Sequence, residues 1–190
     1  MEEDKESRER AMKAVEAIFE RYHLISASKP YPGFDTHTMN SLKLVDASSK
    51  GTVTYHLLID PSMTNLNSVM HGGAAGVIFD MATMSALGPL SRKGYWDFLG
   101  GVTRILNLSF LRGVPVGTTV KIYSEVVQLG KTMAMIRGTM SSLDGKTIYA
   151  TCEQHKVAVP TQPKHLEFKV GWDDLWDKEG VDVGREKSKL

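Results

Sequence analysis

The residues with the strongest chemical content are His71-Gly72-Gly73 and, nine positions after the histidine, Asp80. Asp80 lies inside a nearly apolar run, residues 74–87. An ionised carboxylate there costs several kcal/mol unless it is paired or does chemistry. The paired glycines that open the run leave backbone amides free to approach a ligand closely. A carboxylate and exposed amides suit water addition to a carbonyl. The carboxylate activates water or attacks directly, and the amides at the helix N-terminus hold the developing oxyanion.

Other chemistries lack their residues. There is no Gly-x-Ser-x-Gly elbow, no phosphate-cradling Gly-x4-Gly-Lys-Ser/Thr and no Gly-x-Gly-x-x-Gly. The six histidines have no ligand spacing, so no metal is expected. Cys152, the single cysteine, carries no nucleophile motif and reads as an apolar filler on a strand.

The elements that must position Asp80 can be read from periodicity. Residues 1–25 form an amphipathic helix, with Ala11, Val15, Ile18, Phe19 and Tyr22 at helical spacing. Turn residues 29–33 end it. Short strands are expected over 38–45 and 51–59, joined by a hairpin loop at 46–50. A buried helix then runs from Gly72 to Leu87, stopped by Gly88-Pro89. Gly73, Gly76, Asp80 and Thr83 share one small, polar face of it, suited to a ligand or a second subunit. Strands follow over 100–111, 118–128, 132–142 and 146–159, read as an antiparallel meander. In the first of these, Thr103, Ile105, Asn107 and Ser109 are expected on one face, with Val102, Arg104, Leu106 and Leu108 on the other. The fold class is α+β, with the central helix covering an antiparallel sheet.

Helix arithmetic constrains the site. Gly72 and Asp80 are eight residues apart, about 12 Å along a helix at roughly 1.5 Å per residue. One carbonyl cannot touch both. Two antiparallel copies across a two-fold axis would bring Gly72 of one chain to Asp80 of the other, so a composite site in a dimer is expected.

The chain of 190 residues is 42% hydrophobic, enough for one real core. Its net charge of +1 argues against nucleic-acid binding. The start is charged throughout and reads as no secretory signal, and no apolar stretch is expected to reach membrane-span length. Ser188-Lys189-Leu190 matches the address read by the peroxisomal import receptor, which makes the peroxisome the expected compartment. Residues 1–37 are read as a helix and linker, 38–159 as the domain, and 160–190 as a polar tail in which Trp172, Leu175 and Trp176 dock a short helix.

The pattern Asn65-x5-His71-Gly72-Gly73-x6-Asp80, with Gly101-Val102-Thr103 through Phe110 and Gly130-Lys131-Thr132, resembles the hotdog-fold acyl-CoA thioesterases. The likeness is to the phenylacetyl-CoA thioesterase type and its eukaryotic acyl-CoA relatives. It covers residues 38–159. It implies an antiparallel sheet wrapped around a long helix, dimers or dimers of dimers, and hydrolysis of acyl-CoA with no separate cofactor. By that resemblance Asp80 is the base or nucleophile, and the Gly72 amide polarises the thioester carbonyl. Asn65 holds water or carbonyl, His71 orients the loop, and Thr103 assists the water. Gly73, Phe110, Leu111, Arg112, Gly113, Gly130, Lys131, Thr132 and Lys156 would contact the substrate, with Arg112, Lys131 and Lys156 pairing CoA phosphates. Members often have a Ser-Pro-Ala-type sequence where this chain has Arg112-Gly113-Val114.

Two rival readings stay open. One is a hotdog hydratase acting on enoyl- or hydroxyacyl-thioesters, and the other is a non-catalytic acyl-CoA-binding regulator. The methionines, Met70, Met81, Met84, Met133 and Met135 among them, are core filler first and an adaptable acyl tunnel second.

Overall fold

The computed structural model describes residues 4–97 and 101–174. The docking residues Leu175 and Trp176 and the Ser188-Lys189-Leu190 address lie outside them. The element order is α1 (Lys5–Ala27), α2 (Thr36–Ser41), β1 (Lys43–Ser48), β2 (Thr52–Leu58), α3 (Gly72–Ser85), β3 (Val102–Phe110), β4 (Thr119–Leu129), β5 (Met133–Ser142) and β6 (Ile148–Val157).

The six strands form one antiparallel sheet in the order β1-β2-β4-β5-β6-β3. It wraps α3 in a hotdog fold. Ala75, Ile78, Phe79 and Ala82 of α3 are fully buried against Tyr55, Leu57, Ile122, Ile136 and Met140 of the sheet. Alternation sets this inner face: each strand turns every second side chain toward the helix. The close approach at the centre needs Gly138 on β5. A Cβ there would lie 2.9 Å from both the Phe79 ring and the Thr83 methyl.

Three expectations are corrected. Residues 36–41 form α2 rather than the start of a strand, because Met39 and Thr38 bury against α3 and the core from a helical turn. The last four strands are not one meander. β3 crosses the sheet to pair with β6, while β4 pairs with β2, since α3 must be covered from both sides. Finally, residues 72–90 do reach the length and composition of a membrane span, at 19 residues and mean hydropathy 1.2. Of that window 61% is buried inside the protein, which is how the core helix of a wrapped sheet reads.

α1 begins on an Asp4 cap, whose Oδ1 accepts from the Ser7 amide at 2.9 Å. Its Ala11, Val15 and Ile18 enter the main core, so the N-terminal segment belongs to the same hydrophobic unit as the sheet. Arg21, buried on the same helix, donates to the Phe168 carbonyl at 2.6 Å and to Asp173 at 2.5 Å. Val170 buries beside them. The described part of the C-terminal segment is therefore docked onto α1.

Candidate active site

α3 starts where the sequence requires. His71 is the N-cap, and its Nδ1 accepts the Gly73 amide at 2.9 Å. Accepting at Nδ1 leaves the ring proton of a neutral imidazole on Nε2. The first intrahelical bond is Ala75 to the His71 carbonyl. Among the described residues the Gly72 amide donates to nothing, so it stays available at the positive end of the helix. A Cβ on Gly72 would sit 3.4 Å from the Phe110 ring, which closes over this end.

The preceding loop is pinned by its backbone. Met70 donates to Val114, His71 to Met63, and Asn65 to Val69. The Asn65 side-chain oxygen accepts the Asn67 amide at 2.9 Å, an Asx turn that leaves its amide hydrogens for other partners. Ser68 takes a left-handed conformation to complete the bend.

Two turns further along α3, Asp80 is half-buried and joined to a polar cluster. Its Oδ1 accepts from the Thr103 hydroxyl at 2.5 Å and from Gln154 Nε2 at 2.5 Å. Gln154 Nε2 also donates to Thr103 Oγ1 at 2.9 Å, and Lys156 Nζ donates to the same oxygen at 3.2 Å. Behind it, Gln154 Oε1 lies 2.7 Å from the Thr83 hydroxyl, whose one hydrogen is shared with the Phe79 carbonyl at 2.5 Å. Among the described residues the other oxygen of Asp80, Oδ2, accepts no hydrogen bond. Asp80 lines an open pocket of about 410 Å³ together with Phe34, Asp35, Gly73, Gly76 and Leu106 among others.

A β-bulge makes this cluster possible. Thr103 pairs with Lys156 and Ile105 with His155, so Arg104 is the extra residue on β3. Beyond the bulge the alternation changes phase. Thr103 shares the inward face with Leu106 and Leu108, while Ile105, Asn107 and Ser109 face outward. The strict alternation expected for this strand is corrected accordingly.

Two further placements differ from the sequence reading, those of Thr83 and Lys156. Thr83 leaves the ligand-facing stripe and is fully buried, tied to Gln154 and to the Phe79 carbonyl. Lys156, expected to reach CoA phosphates, is 3% exposed and turned into the cluster. Burial pulls its ammonium down to about 8 against the opposing pull of Asp80. Of the five methionines, Met81 is the one that lines the Asp80 pocket among the described residues, while Met133 is exposed and Met84 is core. Gln154 went unrecognised, although a signal existed. Counting every second residue along β6 gives Ala150, Cys152, Gln154 and Lys156 on the inner face, a core face that turns polar over its last two positions.

Within one chain the expected site residues fall into two groups. Asn65, His71 and Gly72 gather at the N-terminus of α3 with Phe110, Leu111, Arg112 and Gly113, where Leu111 and Arg112 donate to the Tyr149 carbonyl. Asp80, Thr103 and Lys156 gather at the other end of β3 with the β4–β5 hairpin, where Met133 pairs with Val157 beside Gly130, Lys131 and Thr132. β3 spans Val102–Phe110, about 26 Å at roughly 3.3 Å per residue, so the groups at its two ends stay apart in one chain, although Gly73 and Asp80 line the same pocket. Among the described residues no group of three or more His, Cys, Asp or Glu could hold a metal.

Comparison with known proteins places this architecture. Residues 67–149 match the family described as Thioesterase superfamily. The fold is similar to the crystal structure of zebra fish thioesterase superfamily member 2, at 20% identity and a TM-score of 0.63, covering 77% of this chain and 97% of that one. It is similar to the E. coli PaaI protein from the phenylacetic acid degradation operon, at 16% identity and TM-score 0.57, covering 79% and 98%. A hypothetical thioesterase protein with coenzyme A from Streptococcus pneumoniae aligns at 16% identity and TM-score 0.54, covering 65% and 90%. No curated protein matches the chain significantly.

Proposed function

We propose that this protein hydrolyses acyl-CoA to free acid and CoA, a reading supported by the match of residues 67–149 to the thioesterase superfamily and by the hotdog fold. The observation that carries the reading is the Asp80 carboxylate. One oxygen accepts from Thr103 and Gln154, the other accepts no hydrogen bond among the described residues, and the residue lines a pocket. A carboxylate so held is aimed to take a proton from water, or to attack a carbonyl itself. The carbonyl needs a donor for its developing charge, and the unoccupied Gly72 amide at the N-terminus of α3 supplies that chemistry.

The site is completed by a second copy. β3 is an open edge strand whose Val102, Ile105 and Phe110 are exposed. Running two β3 strands antiparallel about a two-fold axis would carry the Asn65–Gly72 end of one protomer to the Asp80 end of its partner. The same operation brings Phe110–Gly113 toward the Gly130–Thr132 hairpin. These two segments, with Arg112 and Lys131 exposed on them, are the ones we assign to the CoA moiety. The Ser188-Lys189-Leu190 sequence supports a peroxisomal destination through its import receptor.

The test is thiol release from a panel running from acetyl-CoA to palmitoyl-CoA and including phenylacetyl-CoA. Asp80→Ala should lower turnover by about a hundredfold or more, the scale of a lost general base, while the fold persists. Heterodimers of Asp80→Ala with Asn65→Ala should regain part of the activity, because one composite site is then intact. An Asp80→Ala enzyme at near wild-type rate removes the mechanism. Verified heterodimers without recovery remove the shared site.

A further inference from the structure

Lys156 is a charged side chain inside a protein core, and the acyl-CoA reaction as drawn above gives it nothing to do. At 3% exposure it cannot present its ammonium to solvent or to an external phosphate without leaving its place on β6. Its one hydrogen bond among the described residues is to Thr103 Oγ1 at 3.2 Å, directly across the β3–β6 pair. The consequence lies in the donor count at that oxygen. A hydroxyl has one hydrogen to give and two lone pairs to fill. Gln154 and Lys156 fill the lone pairs. An ammonium has only donors, so it cannot accept the Thr103 hydrogen. Gln154 presents its amide nitrogen, because that end lies 2.5 Å from the Asp80 carboxylate, which can only accept. The hydrogen of Thr103 is left with Asp80 Oδ1 as its single acceptor, at 2.5 Å.

We propose that Lys156 is a positioning residue for the hydrolysis, acting through Thr103: its buried ammonium fixes the hydroxyl hydrogen on Asp80 Oδ1 and so commits Oδ2 to the reaction. The proposal rests on the acyl-CoA reading for its catalytic part and on the geometry alone for the Lys156–Thr103 coupling. It also redefines Thr103. With both lone pairs occupied and its hydrogen given to Asp80, the Thr103 hydroxyl is a strut between ammonium and carboxylate, and it does not hold the attacking water. A neutral amine would break the arrangement, because its lone pair competes with Asp80 for the Thr103 hydrogen. Among the described residues Asp80 on α3 is the charged group facing Lys156, β3 presents Thr103, β5 presents Ala134 as its cross-strand partner, and Gln154 precedes it on the inner face of β6.

Two measurements on full-length protein test this. In protein carrying 13C-labelled threonine methyls, the Thr103 methyl signal should titrate with a midpoint at about 8 in the wild type, where burial places the Lys156 ammonium. It should stay flat in Lys156→Arg and Lys156→Met, and a flat wild-type signal overturns the coupling whether or not any substrate is found. In thiol-release kinetics on the acyl-CoA turned over fastest, Lys156→Met should lower kcat by about tenfold to a hundredfold with little change in KM, the scale of a lost hydrogen bond to a charged group. Wild-type kcat should fall above pH 8, and Lys156→Arg should hold its kcat through that range. Raised KM with unchanged kcat in Lys156→Met makes Lys156 a substrate clamp and overturns the proposal, as does an unaltered alkaline limb in Lys156→Arg. If wild type releases no thiol from any acyl-CoA, the thioesterase reading and with it the catalytic role of Lys156 fall, while the methyl titration still decides the coupling.

Discussion

A single β6 residue shows how catalysis and stability oppose each other here. Burial depresses the Lys156 ammonium from its ordinary 10.5 to about 8. Between those values the unfolded chain holds the proton and the folded protein does not, so this group's contribution to stability rises with pH across that window. Below pH 8 both states are charged, and the folded state bears the full cost of the buried cation, at most about 3.5 kcal/mol at roughly 1.4 kcal/mol per pH unit. Lys156→Met should therefore unfold at higher urea than wild type at neutral pH, with the gap narrowing toward pH 10.5. The comparison must be between the two proteins, because burial also pushes the Cys152 thiol up to about 12, which removes stability from both as pH passes 9. A Lys156→Met protein less stable than wild type at neutral pH would contradict this balance. At this scale Asp80 was legible, since a carboxylate in an apolar run has few bland explanations. Gln154 was legible only as a polar position on the inner face of β6, because its role depends on Thr83 and Thr103 approaching from two other elements.

At the scale of elements, the decisive contact is α3 on the sheet. Gly138 lets Phe79 and Thr83 approach β5 to within 2.9 Å of where a Cβ would stand. Gly138→Ala should destabilise by about 1–3 kcal/mol, the cost of overpacking a tight core, read in urea unfolding. Activity should fall more than stability predicts, because the displaced Thr83 lies against Gln154 Oε1 behind Asp80. An alanine variant with unchanged stability and turnover would mean the helix can lift without cost. Most elements could be read from periodicity: α1, α3 and the strands from β4 onward lie within a few residues of their expected limits. The exceptions have identifiable causes. α2 is six residues long, too short for a helical period to stand out from a strand's. The bulge at Arg104 is invisible to an alternation count, yet it alone turns Thr103 toward Asp80.

For the whole molecule, the segments outside the matched domain are of two kinds. α1 is part of the core through Val15 and Ile18, and the described C-terminal residues are fastened to it by Arg21. Ser188-Lys189-Leu190 lies outside the described residues and is proposed as a peroxisomal address. A fluorescent fusion ending in residues 1–190 should colocalise with a peroxisomal marker, and one lacking residues 188–190 should become diffuse. Equal distribution of the two removes the peroxisomal assignment.

The amino-acid sequence determined the local chemistry: a carboxylate in an apolar helix, glycines at its start, and the spacing that keeps Gly72 and Asp80 about 12 Å apart at roughly 1.5 Å per residue. These follow from residue type and helical rise, which need no neighbours. Tertiary structure alone decided which side chains answer Asp80. Strand crossing put β3 beside β6, a one-residue bulge turned Thr103 inward, and the wrapped sheet enclosed Gln154 and Lys156 where water cannot compete for them. Such contacts join residues 23 to 74 positions apart, and nothing in a local pattern encodes a pairing that only the closed sheet creates.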